Sequence, residues 1–256
     1  MRIELATSPG DPQRPDEDYV SVALPASGQG GTLVLLDGVT PPPEDAGCAH
    51  GVPWFTARLG GALLELSGSR RDMTLAECLS AAIERTAETH HQMCDLSHPL
   101  TPQATVVAAR WDEAVVEYLV LSDSALLLEG PDGTVTPVLD DRIDRLRAAG
   151  HRLAALRNVE GGFFTAAADP RVAARAVTGS APRARVRALA ALSDGAGRWV
   201  EVFREGDWSQ CFDLLRKEGP QTLIDRVRAA EEADPVGARF PRGKAHDDAA
   251  VVFAEP

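Results

Sequence analysis

Short runs of aliphatic and β-branched residues recur along this chain, each too brief for a core helix and each ended by a turn former. They occupy residues 19–24, 32–36, 104–111, 114–121, 125–129, 186–192 and 249–254. Such runs predict strands. Between them lie stretches with helical spacing at 53–66, 74–93, 140–157, 209–217 and 221–233. In the second of these, Leu75, Cys78, Leu79, Ala82, Ile83 and Thr86 fall on one face. The order strands, helices, strands, helices, strand disfavours a parallel βαβ series and predicts a mixed α/β (α+β) sandwich.

Local signals refine this outline. The SGQGG segment at 27–31 joins the first two strands as a hairpin, and 104–129 reads as an antiparallel meander. Pro41, Pro42 and Pro43 forbid regular structure and impose an extended loop after the second strand. Residues 140–157 read as one charged amphipathic helix. At 256 residues the chain is expected to form a single domain around one substantial core.

Composition excludes several partners. With 38 acidic against 26 basic residues the formal charge is −12, which disfavours nucleic acid or an anionic membrane surface. The opening MRIELATSPG lacks a secretion signal, no apolar run reaches 18 residues, and Cys48, Cys78, Cys94 and Cys211 form no CxxC pair. A cytoplasmic protein with reduced thiols is expected.

The chemistry concentrates in carboxylates. Asp37 follows LVLL, Asp123 follows YLVLS, Asp194 follows LAALS, and Asp247 precedes AAVVF; Asp18 stands just before the first of the runs above. Aspartates at strand ends converge when their strands share or face a sheet. Mg²⁺ and Mn²⁺ favour oxygen ligands, and a pair of such ions clamps and hydrolyses phosphate esters. Any single Asp-Gly is more often a turn former whose carboxylate caps backbone N–H groups. Cys48, His50, His90, His91, Cys94 and His98 suggest zinc, yet their spacing matches no zinc-finger pattern. They are read as small buried hydrophobes and loop-bonding imidazoles, with His50 a candidate phosphate or proton contact.

In order and local wording, RPDEDYV, LVLLDGV, ATVVAARW, YLVLSDSALLL, AALSDGAGRWV and HDDAAVVFA resemble the successive motifs of the PP2C-like metal-dependent protein phosphatases, in their bacterial form. The resemblance spans residues 14–256. It implies two packed antiparallel β-sheets flanked by helices, and hydrolysis of phosphomonoesters by metal-activated water with two, or three, Mn²⁺ or Mg²⁺ ions. By the same likeness Asp37 bridges two metals, the Gly38 carbonyl helps hold one, and Asp194 and Asp247 complete the other. Glu17 and Asp18 act mainly through waters, Asp123 supports an additional ion, and Arg14 grips the substrate phosphate.

The chain departs from the family pattern in three places. VTPPPED replaces a Gly-Gly segment and lacks the histidine found in eukaryotic members, Arg14 lies one residue closer to Asp18 than usual, and Asp247-Asp248 replaces Asp-Asn. The expected substrate is a phosphoprotein or a small phosphoester. The alternative is a catalytically weak or inactive pseudophosphatase that binds a regulatory partner.

Overall fold

In the computed structural model, which describes residues 1–42 and 46–256, ten strands form two five-stranded sheets packed face to face. Pro43, part of the expected extended loop, lies outside the described residues, as do Glu44 and Asp45. In chain order the strands are β1 (Arg2–Ser8), β2 (Tyr19–Ala23), β3 (Gly31–Leu36), β4 (Val106–Trp111), β5 (Val115–Leu121), β6 (Ala125–Glu129), β7 (Val135–Val138), β8 (Val177–Pro182), β9 (Ala188–Leu192) and β10 (Ala249–Glu255). One sheet runs β2-β3-β4-β5-β8 and the other β1-β10-β9-β6-β7, with every named pair antiparallel.

Helices cover both outer faces. Helices α1 (Val52–Ser69) and α2 (Leu75–Glu88) lie on the first sheet; α4 (Asp194–Glu201), α5 (Trp208–Glu218) and α6 (Pro220–Ala233) lie on the second. The start of α2 is set by Thr74, whose hydroxyl accepts from Glu77 N at 3.2 Å while the Glu77 carboxylate accepts from Thr74 N at 2.7 Å. With both sheet faces covered, β3, β4 and β9 are buried throughout, which explains their apolar runs. Along β3, Leu33 and Leu35 point between the sheets, while Val34 and Leu36 meet Phe55, Leu59 and Leu63 of α1. Burying each such side chain contributes about 1.5–3 kcal/mol.

Three expectations are corrected. Residues 104–129 are not one meander, because β5 pairs with β4 and β8 whereas β6 pairs with β9 and β7 of the other sheet. The switch occurs at Ser122, a non-glycine residue at φ 72°, whose N–H donates to Asp140 Oδ2 at 2.9 Å. Residues 140–157 are not one helix: α3 (Arg142–Ala148) ends before Gly150, at φ 78°, and a separate 3₁₀ turn covers Leu153–Leu156. Finally, Cys48 and Cys94 are half-buried rather than packed in the core, unlike Cys78 and Cys211.

Candidate metal centre

The topology brings the strand-end carboxylates together at one end of the sandwich. Tyr19 pairs with Leu36, so Asp18 and Asp37 extend adjacent strands of the first sheet at the same edge. Leu192 pairs with Val251, and Ser193 N donates to Ala250 O at 3.0 Å, which sets Asp194 beside the Asp247-Asp248 entry to β10 in the second sheet. Asp123 sits at the crossover between sheets. The two halves touch directly, since Asp194 N donates to Asp37 Oδ2 at 3.3 Å.

Two glycines allow this closeness. A Cβ on Gly38 would lie 2.5 Å from the Glu17 carbonyl oxygen and 2.5 Å from Val52 Cγ1. On Gly195 it would lie 1.9 Å from the Asp248 carbonyl oxygen. Either collision is with backbone or packed side chain, so a side chain at these positions forces the strand ends apart.

The cluster is electrostatically costly. Burial, then repulsion from Asp194, Asp18, Asp123 and Asp247, holds the Asp37 carboxyl well above the usual carboxylate range. Burial likewise raises Asp18 well above it, with Asp16, Asp194 and Asp248 adding to the shift despite the opposing influence of Ser193. Both Asp18 oxygens are buried, and neither has a hydrogen-bond partner of good geometry. Burial also raises Asp123, and it pushes Asp194 up to about 7 with help from Asp123 and Asp247. Orphaned carboxylate oxygens among mutually repelling neighbours fit a hard divalent cation, which removes both penalties at once.

Other expected site residues are placed differently. Glu17 is buried, but its carboxylate accepts from the Thr40 hydroxyl and lies 3.9 Å from Arg14, whose side chain is 61% exposed. The acid grouped with Asp18 is instead Asp16; ligand atoms of Asp16, Asp18 and Asp248 all lie within 4.8 Å of one another. Asp248 also accepts from Gly10 N at 2.7 Å and Glu17 N at 2.8 Å, clamping the segment that carries Asp16 and Asp18. Arg14 lines a cleft of about 400 Å³ with Gly10, Glu17 and Asp248, while Asp37, Asp123 and Asp194 line another of about 280 Å³. Thr40, Lys244 and Asp247 border both clefts.

Several cations escaped the sequence reading. Lys244 Nζ donates to Asp247 Oδ1 at 2.6 Å and to Thr40 at 2.9 Å, and Arg198 Nη2 donates to Asp247 Oδ2 at 2.8 Å. Burial alone would lower the Lys244 pKa, but Asp247, Asp37 and Asp194 outweigh it and raise it. Arg147 and Arg157 also line the aspartate cleft, and Arg157 keeps a buried Nε without a hydrogen-bond partner. Lys244 lies in the loop of residues 235–246, where no motif or periodicity marks it.

The cluster makes metal-free stability depend on pH. Burial raises Glu201 to about 7 as well. A carboxyl whose folded pKa exceeds its unfolded value contributes stability that is full below the unfolded pKa and lost as pH rises through the folded one. His90, lowered by burial, acts in the opposite direction. Against it stand Asp18, Asp37, Asp123, Asp194 and Glu201, all raised. In EDTA the melting temperature is therefore expected to fall between about pH 5.5 and pH 8, and calorimetry showing a rise would contradict this account.

Two packed five-stranded antiparallel sheets covered by helices match the PP2C-like fold of solved bacterial serine/threonine phosphatases. Among solved structures, the chain is similar to the serine/threonine phosphatase Stp1 from Staphylococcus aureus, at TM-score 0.62 and 14% identity over 99% of this chain and 94% of that one. It is also similar to the catalytic domain of the serine/threonine protein phosphatase PstP, in complex with two manganese ions, at TM-score 0.60 and 18% identity over 99% and 97%. A C. elegans sex-determining protein matches at TM-score 0.61 and 15% identity, over 98% of this chain and 64% of its own. No family model and no curated protein matches the sequence. The chain thus has the PP2C-like fold, at identities where only the fold carries over. No helix of the described residues is long and apolar enough to cross a membrane.

Proposed function

We propose that this chain is a metal-dependent phosphomonoester hydrolase, a protein serine/threonine phosphatase organised as one domain over residues 1–256. The observation that carries this reading is the convergence of Asp18, Asp37, Asp123 and Asp194, whose proton affinities are all raised by burial, at one end of the sandwich. These four, with Asp247 and the Gly38 carbonyl, would hold Mn²⁺ or Mg²⁺. When bound, such a pair supplies an acidified water and stabilises charge on phosphoryl oxygens.

The protein's own groups do the remainder. Arg157 and Arg147 line the cleft as guanidinium forks suited to phosphate oxygens, while Arg14 lines the neighbouring cleft. The described lining of the aspartate cleft includes no cysteine or histidine, which favours direct attack of water over a covalent phosphoenzyme on such a side chain.

A second reading, a weak or inactive domain that binds a partner, is favoured by one contact set. Lys244 and Arg198 each hold one oxygen of Asp247 and supply that acid with protein cations. Hydrolysis of p-nitrophenyl phosphate by purified protein in Mn²⁺, Mg²⁺ or EDTA separates the two. Turnover that needs metal is expected. Folded protein that is inactive with either ion would move the assignment to the binding module, and preference for nucleotides over phosphopeptides would redirect it to small phosphoesters.

A further inference from the structure

Away from the acidic clefts, four soft-metal ligands meet. Cys48 and His50 lie between the Asp37-Gly38 loop and α1; His90 and Cys94 follow the end of α2. One ligand atom from each falls within 4.8 Å of all the others. Cys48 Sγ stands 3.5 Å from His90 Nδ1 and 3.8 Å from His50 Nδ1, and Cys94 Sγ stands 3.4 Å from His50 Nδ1. In tetrahedral zinc with ordinary bond lengths, sulfur and nitrogen ligands stand about 3.5 Å apart and two sulfurs about 3.8 Å.

The two sulfurs are 3.1 Å apart, closer than such a tetrahedron requires and far beyond the ~2.05 Å of a disulfide. We propose that Cys48, His50, His90 and Cys94 form a closed, structural zinc site that staples the segment after Asp37-Gly38 to the end of α2. Two thiolates with two imidazoles are a zinc donor set, and four protein ligands leave no open position for catalysis.

The surroundings suit that role. Trp54 of α1 stacks on the His50 ring at 4.0 Å and 22°, and its centroid lies 5.1 Å from that of His90, so both imidazoles are oriented by one aromatic wall. Asp95 N donates to Gly47 O at 2.7 Å, a backbone tie between the same two segments. The other two histidines of this region are engaged elsewhere: His98 Nδ1 accepts from Leu100 N at 3.2 Å, and His91 Nδ1 lies 2.9 Å from Glu88 O. Motif spacing did not expose the site because its two ligand pairs, Cys48/His50 and His90/Cys94, come from segments about forty residues apart.

Elemental analysis of wild-type protein made in zinc-supplemented medium with reductant, then gel-filtered, should find one zinc per chain. Protein stripped and reloaded with Co²⁺ alone should show a thiolate-to-cobalt charge-transfer band and the intense visible bands of tetrahedral cobalt. C48S and C94S should drop to background zinc, whereas D37N, which tests the acidic centre, should keep its equivalent. A wild-type chain without zinc or tetrahedral cobalt bands overturns the site, as does a Cys48–Cys94 disulfide found in place of metal or zinc retained in both cysteine variants. The wild-type measurements stand even if a cysteine variant fails to fold.

Discussion

Asp37→Asn is expected to lower any Mn²⁺-dependent turnover of p-nitrophenyl phosphate about 10³-fold, equivalent to about 4 kcal/mol of lost transition-state stabilisation. The amide keeps the shape of the carboxylate but removes the charge at the point where the two sheets meet through Asp194 N. The same change is expected to have the opposite effect on the metal-free fold. Asp37 is repelled by Asp194, Asp18, Asp123 and Asp247, so its neutralisation relieves strain that the folded chain otherwise carries near neutral pH. The variant should melt higher than wild type in EDTA at about pH 8, and should gain little on adding Mn²⁺. Full activity retained in both Asp37→Asn and Asp194→Asn would remove the aspartates from the metal assignment. Loss of activity with a lower metal-free melting temperature would mean that Asp37 is structural.

Glu231→Ala is expected to cost about 3–5 kcal/mol of stability, read from urea unfolding, because it strands buried positive charge. Glu231 has no exposed surface, yet it accepts from Arg198 at 2.6 Å and Arg228 at 2.8 Å and lies 3.0 Å from His246 Nδ1. Arg198 is itself buried and reaches from Glu231 to Asp247, so the loss propagates to an acid of the candidate centre. Glu231→Gln, which keeps acceptor geometry at one oxygen, should lose less. A change under about 1 kcal/mol in the alanine variant would show that water replaces the carboxylate without penalty.

What the sequence disclosed follows from what periodicity can record. Strands buried on both faces, such as residues 31–36 and 188–192, announce themselves as apolar runs, and the aspartates at their ends were legible for that reason. β1 went unread because RIELATS mixes charge with aliphatics on the outer edge of its sheet, and β8 because VTGSAP is an edge strand with exposed residues. The division of 104–129 between two sheets depends on the conformation of Ser122 and its bond to Asp140, which no hydropathy pattern encodes. Asp16 and Asp248 were passed over for a related reason. The sequence presents Asp248 only as the residue that replaces Asn in the last motif, whereas its oxygens are engaged by the backbone of Gly10 and Glu17, some 230 residues away. Lys244 and Arg157 are surface-type residues in composition, and only the path of their loops brings them to the acids.

The position of β10 has a consequence for how the molecule comes into being. This strand lies between β1 and β9, paired with β1 from Arg2–Glu255 to Ser8–Ala249, although the two stand at opposite ends of the strand order. A nascent chain emerging in sequence therefore presents β1 and β9 as open edges with a vacant slot between them. Neither a continuous second sheet nor the Asp247 end of the acidic cluster exists until that slot is filled. Such long-range closure is slow, and the waiting edges are adhesive. Assembly of the acidic cluster thus coincides with sealing of the sheet, so an incompletely folded chain has neither a continuous second sheet nor a complete acidic cluster.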